Sequence, residues 1–281
     1  MNSSIMSGVL KCLILCWLGS LQVSAQLNDL VSDIREESGL SVWWAGHNSW
    51  LVKSGELLIS TDLMLDTTGR VAPLPITAAE IAPDLDISFI THGHGDHFHR
   101  QTTSILVEQS QCLFVMPENC REIARELNIP DERMVIAKPG ETFEIKGIEV
   151  RPLRAIHGDE NFAIYIEANL QDCGYLINLN GTTFLQPGDS YLLEDHLFLG
   201  HVDVLFFSPT EHNTYIDRSV IMINTLNPDY ILPQHHSTMR VTPATRFWAK
   251  GYPEEVKIRL SKPLQQRFHI LKPGERIPIT R

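Results

Sequence analysis

The stretch Thr91-His92-Gly93-His94-Gly95-Asp96-His97-Phe98 decides how this sequence is interpreted. It holds three histidines and one aspartate within six residues, with glycines between them. Glycine lets the backbone turn sharply, so such a loop can direct several side chains at one position. Neutral imidazoles and a carboxylate are the donors that zinc and similar divalent ions take in proteins. The stretch therefore predicts a metal site, and a solvated His-rich loop is the alternative.

Apolar runs around this loop indicate two blocks of β-strands with helices beside them. The run Asp86–Thr91 is typical of a buried strand and leads directly into the loop. Further strands are predicted at residues 41–44, 50–53, 57–60, 202–207 and 230–232 and across 134–186, with helices at 27–37, 100–109, 118–128 and 217–226. This order favours two sheets packed face to face with helices outside. Because no linker or repeat interrupts the chain, residues 26–281 are predicted to form a single domain.

The composition restricts the class of partner. The chain has 281 residues, 43% of them hydrophobic and 20% charged, which is typical of a globular protein. Lysine and arginine number 23 against 34 acidic residues, so the net charge is −11. Nucleic acid is therefore excluded as the expected partner, since binding to phosphate backbones needs a basic face. A small-molecule substrate is expected instead, and it can be anionic, because a metal ion or a local arginine reverses the field inside a site.

The amino terminus has the pattern of a cleaved signal peptide. Met1–Lys11 carries one positive charge, and the apolar run Cys12–Val23 follows it. That run has 12 residues, fewer than the roughly 20 that a transmembrane helix needs. Val23–Ala25 then offers small or aliphatic residues for cleavage before Gln26. We expect residues 1–25 to be removed from a periplasmic or secreted protein without stable membrane insertion; a retained interfacial anchor is the alternative.

The cysteines of the mature chain are expected to be buried free thiols. Three remain after removal of the signal peptide, and an odd number cannot all pair within one chain. They are Cys112, Cys120 and Cys173. If Cys112–Pro117 is a strand, its ends lie about 17 Å apart, too far for a disulfide to Cys120. A redox or ligand role is the alternative.

The pattern H-x-H-x-D-H at residues 92–97 resembles that of the metallo-β-lactamase superfamily. Four more elements of that superfamily occur in the expected order, so the resemblance spans about Ser41 to His236. They are Ile59–Asp62, Ala155–Gly158, Pro187–Ser190 and Leu232–His235. The resemblance implies an α/β (α+β) fold of the four-layer αββα sandwich type, with a dinuclear metal site at one edge of the two sheets.

The resemblance also implies the ligands and the chemistry. One metal ion would be held by His92, His94 and His157, the other by Asp96, His97 and His235, and Asp189 would bridge them. Zinc is the expected metal, with manganese or iron as alternatives, since imidazole and carboxylate donors accept all three. A water between two cations loses a proton near neutral pH, and the resulting hydroxide attacks a carbonyl or phosphorus. Asp96 would orient this nucleophile or carry its proton.

Other elements narrow the branch of the superfamily. Ala45–Leu51 resembles an element of the ascorbate-6-phosphate lactonase-like branch. Asp189 disfavours a true zinc β-lactamase, which lacks a bridging aspartate there. His94 disfavours a flavodiiron oxidoreductase, which typically has glutamate at that position. Thr210 and Glu211 stand where the branch usually has small residues, so the resemblance does not determine the shape of the pocket or the substrate.

The expected function is therefore an exported, metal-dependent hydrolase that cleaves an ester, lactone or phosphoester. A non-catalytic metal-binding protein that retains the fold is the alternative. His212 is predicted to face the pocket as a general acid or oxyanion donor without binding metal. His47 either orients a ligand or satisfies its own turn, and Asp62 is expected to orient a ligand rather than bind metal. The segment from Ser237 onward matches no element of the superfamily.

Overall fold

The computed structural model describes residues 30–74, 76–156 and 170–280. The predicted signal peptide and the predicted ligand His157 lie outside these described residues. Within them, two β-sheets lie face to face and helices cover both outer faces, so the prediction of a four-layer αββα sandwich is confirmed. None of the helices found in the described residues is long and apolar enough to cross a bilayer.

The first sheet combines antiparallel and parallel strands. Its strands are β1 Leu40–Gly46, β2 Ser49–Ser54, β3 Leu57–Thr61, β4 Ile87–Phe89, β5 Leu113–Pro117, β6 Met134–Ala137 and β13 Arg276–Pro278. Their order is β13-β1-β2-β3-β4-β5-β6. The first three strands are joined as antiparallel neighbours, whereas β3, β4, β5 and β6 run parallel. The late strand β13 pairs with β1 through Val42 and Ile277, which joins a late segment of the chain to the first strand of the described residues.

The second sheet also changes from antiparallel to parallel. Its strands are β7 Phe143–Ile145, β8 Ile148–Arg154, β9 Cys173–Leu179, β10 Thr182–Gln186, β11 Val204–Phe207 and β12 Tyr230–Pro233. Their order is β12-β11-β10-β9-β8-β7, and β10, β11 and β12 run parallel. Parallel neighbours require crossover connections, and these place the helices on the outer face.

The helices vary in length and in how well their sequence predicts them. They are α1 (residues 30–36), α2 Ala78–Ile81, α3 Arg100–Gln109, α4 Arg121–Glu126, α5 Glu194–Leu197, α6 Asp217–Leu226, α7 Arg246–Ala249, α8 Pro253–Lys257 and α9 Lys262–Gln266. The bounds of α3 and α6 agree with the predicted ones. In α6 the buried residues Ser219, Met222, Ile223 and Leu226 follow the helical repeat, which is why this segment packs as a helix against its sheet.

The core between the two sheets contains several aromatic side chains among its aliphatic ones. Trp44, Trp50, Phe89, Tyr175 and Phe206 are all fully buried there. The rings of Trp50 and Phe206 stack with centroids 4.5 Å apart, joining the two sheets. The hydroxyl of Tyr175 donates to the backbone carbonyl of Ile90 at 2.7 Å, just before the His-rich loop. The start of this loop is therefore fixed to both sheets.

The strand ends that carry the predicted site residues meet at one edge of the sandwich. Asp62 follows β3 and Thr91 closely follows β4 in the first sheet. Asp189, His212 and His235 follow β10, β11 and β12 in the second sheet. Carboxyl ends of parallel strands share an edge, so the fold gathers residues far apart in sequence.

The three cysteines of the described residues are free and buried, as predicted. Burial raises the pKa of the Cys120 thiol and raises that of Cys173 to about 12. Both thiols are therefore held in the protonated form, which is neither a nucleophile nor a metal ligand at neutral pH.

Candidate metal centre

The His-rich loop is fastened by Asp62. Its Oδ1 accepts hydrogen bonds from the backbone N–H of Thr91 at 2.8 Å and from the Thr91 hydroxyl at 3.0 Å. Its Oδ2 accepts from Nδ1 of His97 at 2.9 Å. Asp62 is fully buried and has a φ of 44°, a left-handed conformation that aspartate tolerates better than most residues. It therefore fixes both the beginning of the loop and the ring of its last histidine.

Gly188 brings the second sheet against this loop. Its φ is 66°, and a Cβ atom there would lie 2.9 Å from Cβ of Thr91. Only glycine allows the turn before Asp189 to approach Thr91 so closely. The Asp189 carboxylate consequently lies beside the histidines of the motif.

Asp189 is the centre of the site. Its Oδ1 lies 3.1 Å from Nε2 of His235, and its Oδ2 lies 2.8 Å from Nε2 of His212 and 3.4 Å from Nε2 of His97. The side chain of Asp189 is nearly fully buried. Three imidazoles from three different loops thus each direct their Nε2 atom at the carboxylate of Asp189.

The backbone carbonyls of two consecutive residues orient two of these imidazoles. The carbonyl of Phe247 lies 3.0 Å from Nδ1 of His212, and that of Trp248 lies 3.1 Å from Nδ1 of His235. A carbonyl can only accept, so each Nδ1 carries a proton and donates it. In a neutral imidazole the lone pair is then on Nε2, the nitrogen that faces Asp189.

The charges of the cluster favour an added cation. Burial opposes protonation of His97, but the carboxylates of Asp189, Asp62 and Asp96 outweigh it and raise the pKa of His97 well above its ordinary value. Burial likewise opposes protonation of His235, and Asp189 nevertheless raises its pKa. For Asp189 burial favours the neutral acid, but the surrounding imidazoles hold its pKa well below the usual range. The site therefore attracts positive charge.

His47 orients Asp96 from outside the His-rich loop. Burial lowers the pKa of His47 to about 3, so its imidazole is neutral. Its Nε2 donates to Oδ2 of Asp96 at 3.1 Å, and its ring packs on that of His235 with centroids 4.0 Å apart. Asn48 also donates to the backbone carbonyl of Asp96, at 2.8 Å. The tight turn between β1 and β2 thus positions a carboxylate located 49 residues further along the chain.

The remaining predicted ligands are placed as follows. Nδ1 of His92 lies 3.0 Å from the Thr91 hydroxyl, which directs Nε2 away from the backbone, and its ring lies 4.0 Å from that of His97. His94 is exposed, with its ring 4.7 Å from that of His92. His157 lies outside the described residues. The residue before it, Ile156, accepts from the backbone N–H of Tyr191, two residues after Asp189.

Two groups of donor atoms in the described residues are close enough to hold a metal ion. One comprises His92, His97 and Asp189, and the other comprises His47, Asp96 and His235, with each group's donors within 4.8 Å of one another. His97 and Asp96 therefore fall in different groups, whereas the resemblance assigns them to one ion. Which ligand belongs to which ion stays a prediction. A third group, His201, Asp203 and Asp229, lies at the amino ends of β11 and β12, away from this edge.

The residues at the edge fit a divalent ion. Nε2 of His97, Nε2 of His235 and Oδ1 of Asp189 are buried atoms without a hydrogen-bond partner among the described residues; the last two face each other at 3.1 Å, but both are acceptors when the imidazole is neutral. Leaving a buried polar atom without a partner costs free energy, unless an ion takes the place of the partner. Two nitrogen donors and one carboxylate oxygen are typical zinc ligands.

A cavity of about 380 Å³ opens over Asp189. Its polar side is formed by His94, Asp96, Asp189 and His212. Its other side is formed by the aromatic residues Phe247 and Trp248. His212 is among the residues that line this cavity, and its role in chemistry stays a prediction.

Sequence reasoning did not assign Phe247 and Trp248 to the site. They lie in the short helix α7, beyond the last element of the resemblance. Their carbonyl contacts do not depend on the side chain, so residue identity carries no signal for them. His47 could be named from its motif, but only the contact with Asp96 shows what it does.

Comparison with known proteins identifies the family. Residues 41–235 match the family described as Beta-lactamase superfamily domain, and the chain belongs to that family. A metal-dependent hydrolase of Methanosarcina barkeri is 24% identical over 247 residues, which is 86% of this chain and 99% of that protein. A protein of Escherichia fergusonii named a probable L-ascorbate-6-phosphate lactonase is 24% identical over 236 residues, which is 72% of this chain and 66% of that protein.

The fold is also that of solved structures. A metallo hydrolase from Ignicoccus hospitalis superimposes with a TM-score of 0.63 at 17% identity, over 85% of this chain and 97% of that one. At this identity the likeness concerns the fold. The predicted membership of the metallo-β-lactamase superfamily is confirmed.

Proposed function

We propose that this protein is an exported hydrolase that depends on two divalent metal ions and cleaves an ester, a lactone or a phosphoester of a small molecule. The observation that carries the proposal is the convergence of His97, His212 and His235 on the carboxylate of Asp189. Membership of the family and the name of the Methanosarcina relative support it.

The convergence favours positive charge between the imidazoles and the carboxylate. The Nδ1 atoms of His97, His212 and His235 are engaged by an aspartate and two carbonyls. Their Nε2 lone pairs would therefore all face an ionised carboxylate, which is repulsive in a buried site of low dielectric. Protons or metal ions between these atoms turn the repulsion into attraction. Because Asp62 and the two carbonyls fix the rings in advance, the arrangement favours metal binding.

When bound, the two ions would act as Lewis acids that lower the pKa of a water molecule and stabilise negative charge on the substrate. Zinc is the proposed metal, and manganese or iron also suits imidazole and carboxylate donors. The proposed ligands are the seven residues that the resemblance implies. They are His92, His94, Asp96, His97, His157, Asp189 and His235.

Asp96 is placed to handle a proton of the attacking water. Burial opposes its ionisation, but the imidazoles of His97 and His47 outweigh this and hold the pKa of Asp96 well below its usual range. It is therefore an acceptor at neutral pH. His47 holds one of its oxygens at 3.1 Å, so the carboxylate has a fixed orientation towards the cavity.

His212 is placed to serve the leaving group. It lines the cavity beside Asp189, and its Nδ1 proton is held by the carbonyl of Phe247. The opposite nitrogen, Nε2, would carry the second proton of an imidazolium and deliver it to a departing alkoxide. An imidazole is well matched to that transfer near neutral pH.

The test begins with the metal content of the purified mature protein. We expect about two divalent ions per chain by elemental analysis. A panel of lactones, carboxylic esters, phosphomonoesters and phosphodiesters should then reveal hydrolysis that a chelator abolishes and added zinc restores. Two bound ions without turnover of any class would instead support the non-catalytic alternative. No bound metal after reconstitution would overturn the proposal.

A further inference from the structure

The segment Arg246–Ala249 acts on the site in two ways. Its backbone carbonyls at Phe247 and Trp248 orient His212 and His235, as described above. The side chains of the same two residues form one side of the cavity. Neither side chain is fully buried, although apolar rings gain free energy when they leave water.

The two rings are held in place by the site itself. The ring of Phe247 meets that of His212 edge-on with centroids 5.5 Å apart. The ring of Trp248 meets that of His47 edge-on at 5.7 Å. Edge-to-face contacts of this kind restrict ring orientation. The cavity therefore presents a preformed aromatic surface next to Asp189, and we call Phe247 and Trp248 the aromatic wall.

Lysine and arginine are absent from the described lining of this cavity, and its two histidines, His94 and His212, are on the metal-binding side. The neighbouring Arg246 forms an ion pair with Glu211 at 2.8 Å and donates to the hydroxyl of Tyr252 at 3.2 Å. Tyr252 in turn donates to Glu211 at 2.6 Å, so these three side chains form a closed polar cluster. Outside the described part, residues 157–169 contain no lysine or arginine in their sequence.

A charged substituent on the substrate would therefore find no partner beyond the metal-binding side. A phosphate group against the aromatic wall would lose its hydration without gaining an ion pair or a bidentate arginine. An alkyl or aryl group would bury apolar surface against both rings at no such cost. The cavity volume of about 380 Å³ is at the small end of the range for ligand pockets, enough for a compact substrate.

We propose that the aromatic wall binds an uncharged alkyl or aryl substituent of the substrate, so that this hydrolase selects substrates with an apolar substituent over phosphorylated ones. The inference rests on the proposed function for the chemistry that follows binding. The binding preference itself can be measured separately from turnover.

Three phosphonates that share the metal-binding group and differ in their tails provide the test. They are methylphosphonate, hexylphosphonate and ethane-1,2-diphosphonate. On the zinc-loaded protein, calorimetry should show hexylphosphonate binding about 10- to 100-fold tighter than methylphosphonate, the usual effect of filling an apolar pocket. The diphosphonate should gain no affinity over methylphosphonate from its second charge.

Phe247→Ala removes one ring and leaves the backbone carbonyl that orients His212. This variant should bind hexylphosphonate about tenfold more weakly, and its affinity for methylphosphonate should change less than twofold. Its zinc content should be unchanged. Phe247→Leu, which keeps apolar bulk, should recover most of the lost affinity. Phe198→Ala is the matched control, because Phe198 is 77% exposed and does not line the cavity. Phe198→Ala should leave the affinity for both ligands unchanged.

The outcomes separate the two proposals. The predicted binding preference without hydrolysis of any substrate supports the aromatic wall and counts against the proposed function. If the diphosphonate binds more tightly than hexylphosphonate, the proposed role of the aromatic wall is wrong. Equal weakening of both monophosphonates by Phe247→Ala, or no binding of the three, overturns it as well.

Discussion

Asp62 accepts a hydrogen bond from Nδ1 of His97 at 2.9 Å, and His97 directs its other nitrogen at Asp189, 3.4 Å away. One buried carboxylate thus holds an imidazole against a second buried carboxylate. The two acids come from different sheets and lie 127 positions apart in the chain. An imidazole shared between two carboxylates favours a positive charge at Nε2, whether as a proton or as a metal ion. This relationship explains why Asp62, which is fully buried and does not line the cavity, belongs to the site.

Asp62→Asn should therefore weaken metal binding without removing a ligand. The amide keeps an acceptor for the backbone of Thr91 but removes the negative charge beside His97. Loss of such an outer partner typically costs 10- to 100-fold in metal affinity. Zinc titration against a competing chelator measures the change. Asp131→Asn, at an exposed aspartate just before the amino end of β6, is the control, and equal affinities of wild type and Asp62→Asn would contradict the role.

Asp189→Ala tests the predicted bridge. Removing the carboxylate leaves the imidazoles of His97, His212 and His235 without the group on which they converge. The second ion should be weakened at least as much as the first, and hydrolysis should fall by orders of magnitude while the fold persists. Elemental analysis, circular dichroism and the substrate panel together check this. Near wild-type turnover with both metals bound would show that Asp189 is not the bridge.

Export makes a separate prediction about the amino terminus. One lysine, an apolar run of 12 residues and the small or aliphatic residues Val23–Ala25 predict cleavage before Gln26. Amino-terminal sequencing of protein recovered outside the cytoplasm of its native host should therefore start at or near Gln26. Intact Met1 on cytosolic protein would refute the predicted location.

Much of the fold could be predicted because local patterns agree with the tertiary structure. The helices at Arg100–Gln109 and Asp217–Leu226 have the predicted bounds, since their buried faces follow the helical repeat. The predicted site residues follow β3, β4, β10, β11 and β12, because apolar parallel strands end where polar loops begin. Strand β13 was not predicted: its three residues pair with β1, more than 230 positions away, and long-range pairing leaves no local pattern.

The predictable part of the site consists of side chains with characteristic chemistry. The histidines and aspartates of the motifs could be named because those motifs resemble the elements of the superfamily. The supports that orient them are less visible: Phe247 and Trp248 contribute carbonyl groups, which every residue possesses. The contact of His47 with Asp96 likewise depends on how the turn between β1 and β2 packs against the loop. Such tertiary contacts leave no local pattern in the sequence.

His196 gives a pH prediction outside the metal site. It is buried at helix α5, and its Nδ1 accepts a hydrogen bond from the backbone N–H of Leu193 at 3.1 Å. Burial lowers its pKa from 6.5 to about 4. Between these values the unfolded chain binds a proton that the folded chain does not, so the free energy of unfolding should fall as the pH falls from about 6.5 to 4.

A comparison of urea unfolding between wild type and His196→Asn isolates this group, since other acid-sensitive residues contribute equally to both. From pH 7 to pH 4.5 the free energy of unfolding of the wild type should fall by about 2 kcal/mol more than that of the variant, as expected for a pKa shift of this size. A chelator in both samples removes the effect of metal binding. An equal fall in the free energy of unfolding of the two proteins would show that protonation of His196 does not destabilise the fold.

His212→Ala is the most demanding prediction, because it separates a catalytic residue from a ligand. If His212 donates a proton to the leaving group, the variant should keep its full metal complement while kcat falls by roughly 10²–10⁴-fold, the usual contribution of a positioned acid. The loss should be largest for alkoxide leaving groups and should shrink for 4-nitrophenolate, which departs without a proton. Elemental analysis and a series of esters with graded leaving groups measure both.

The contact of His212 with Asp189 at 2.8 Å makes the leaving-group series decisive. If His212 only orients the Asp189 carboxylate, its removal should impair hydrolysis equally for every leaving group. If it binds a metal ion, that ion should be lost with the side chain. His269→Ala, at a half-buried histidine that stacks on Tyr230 at the amino end of β12, serves as the control and should leave kcat and metal content unchanged. A uniform loss of kcat would therefore reassign His212 from proton donor to positioning residue.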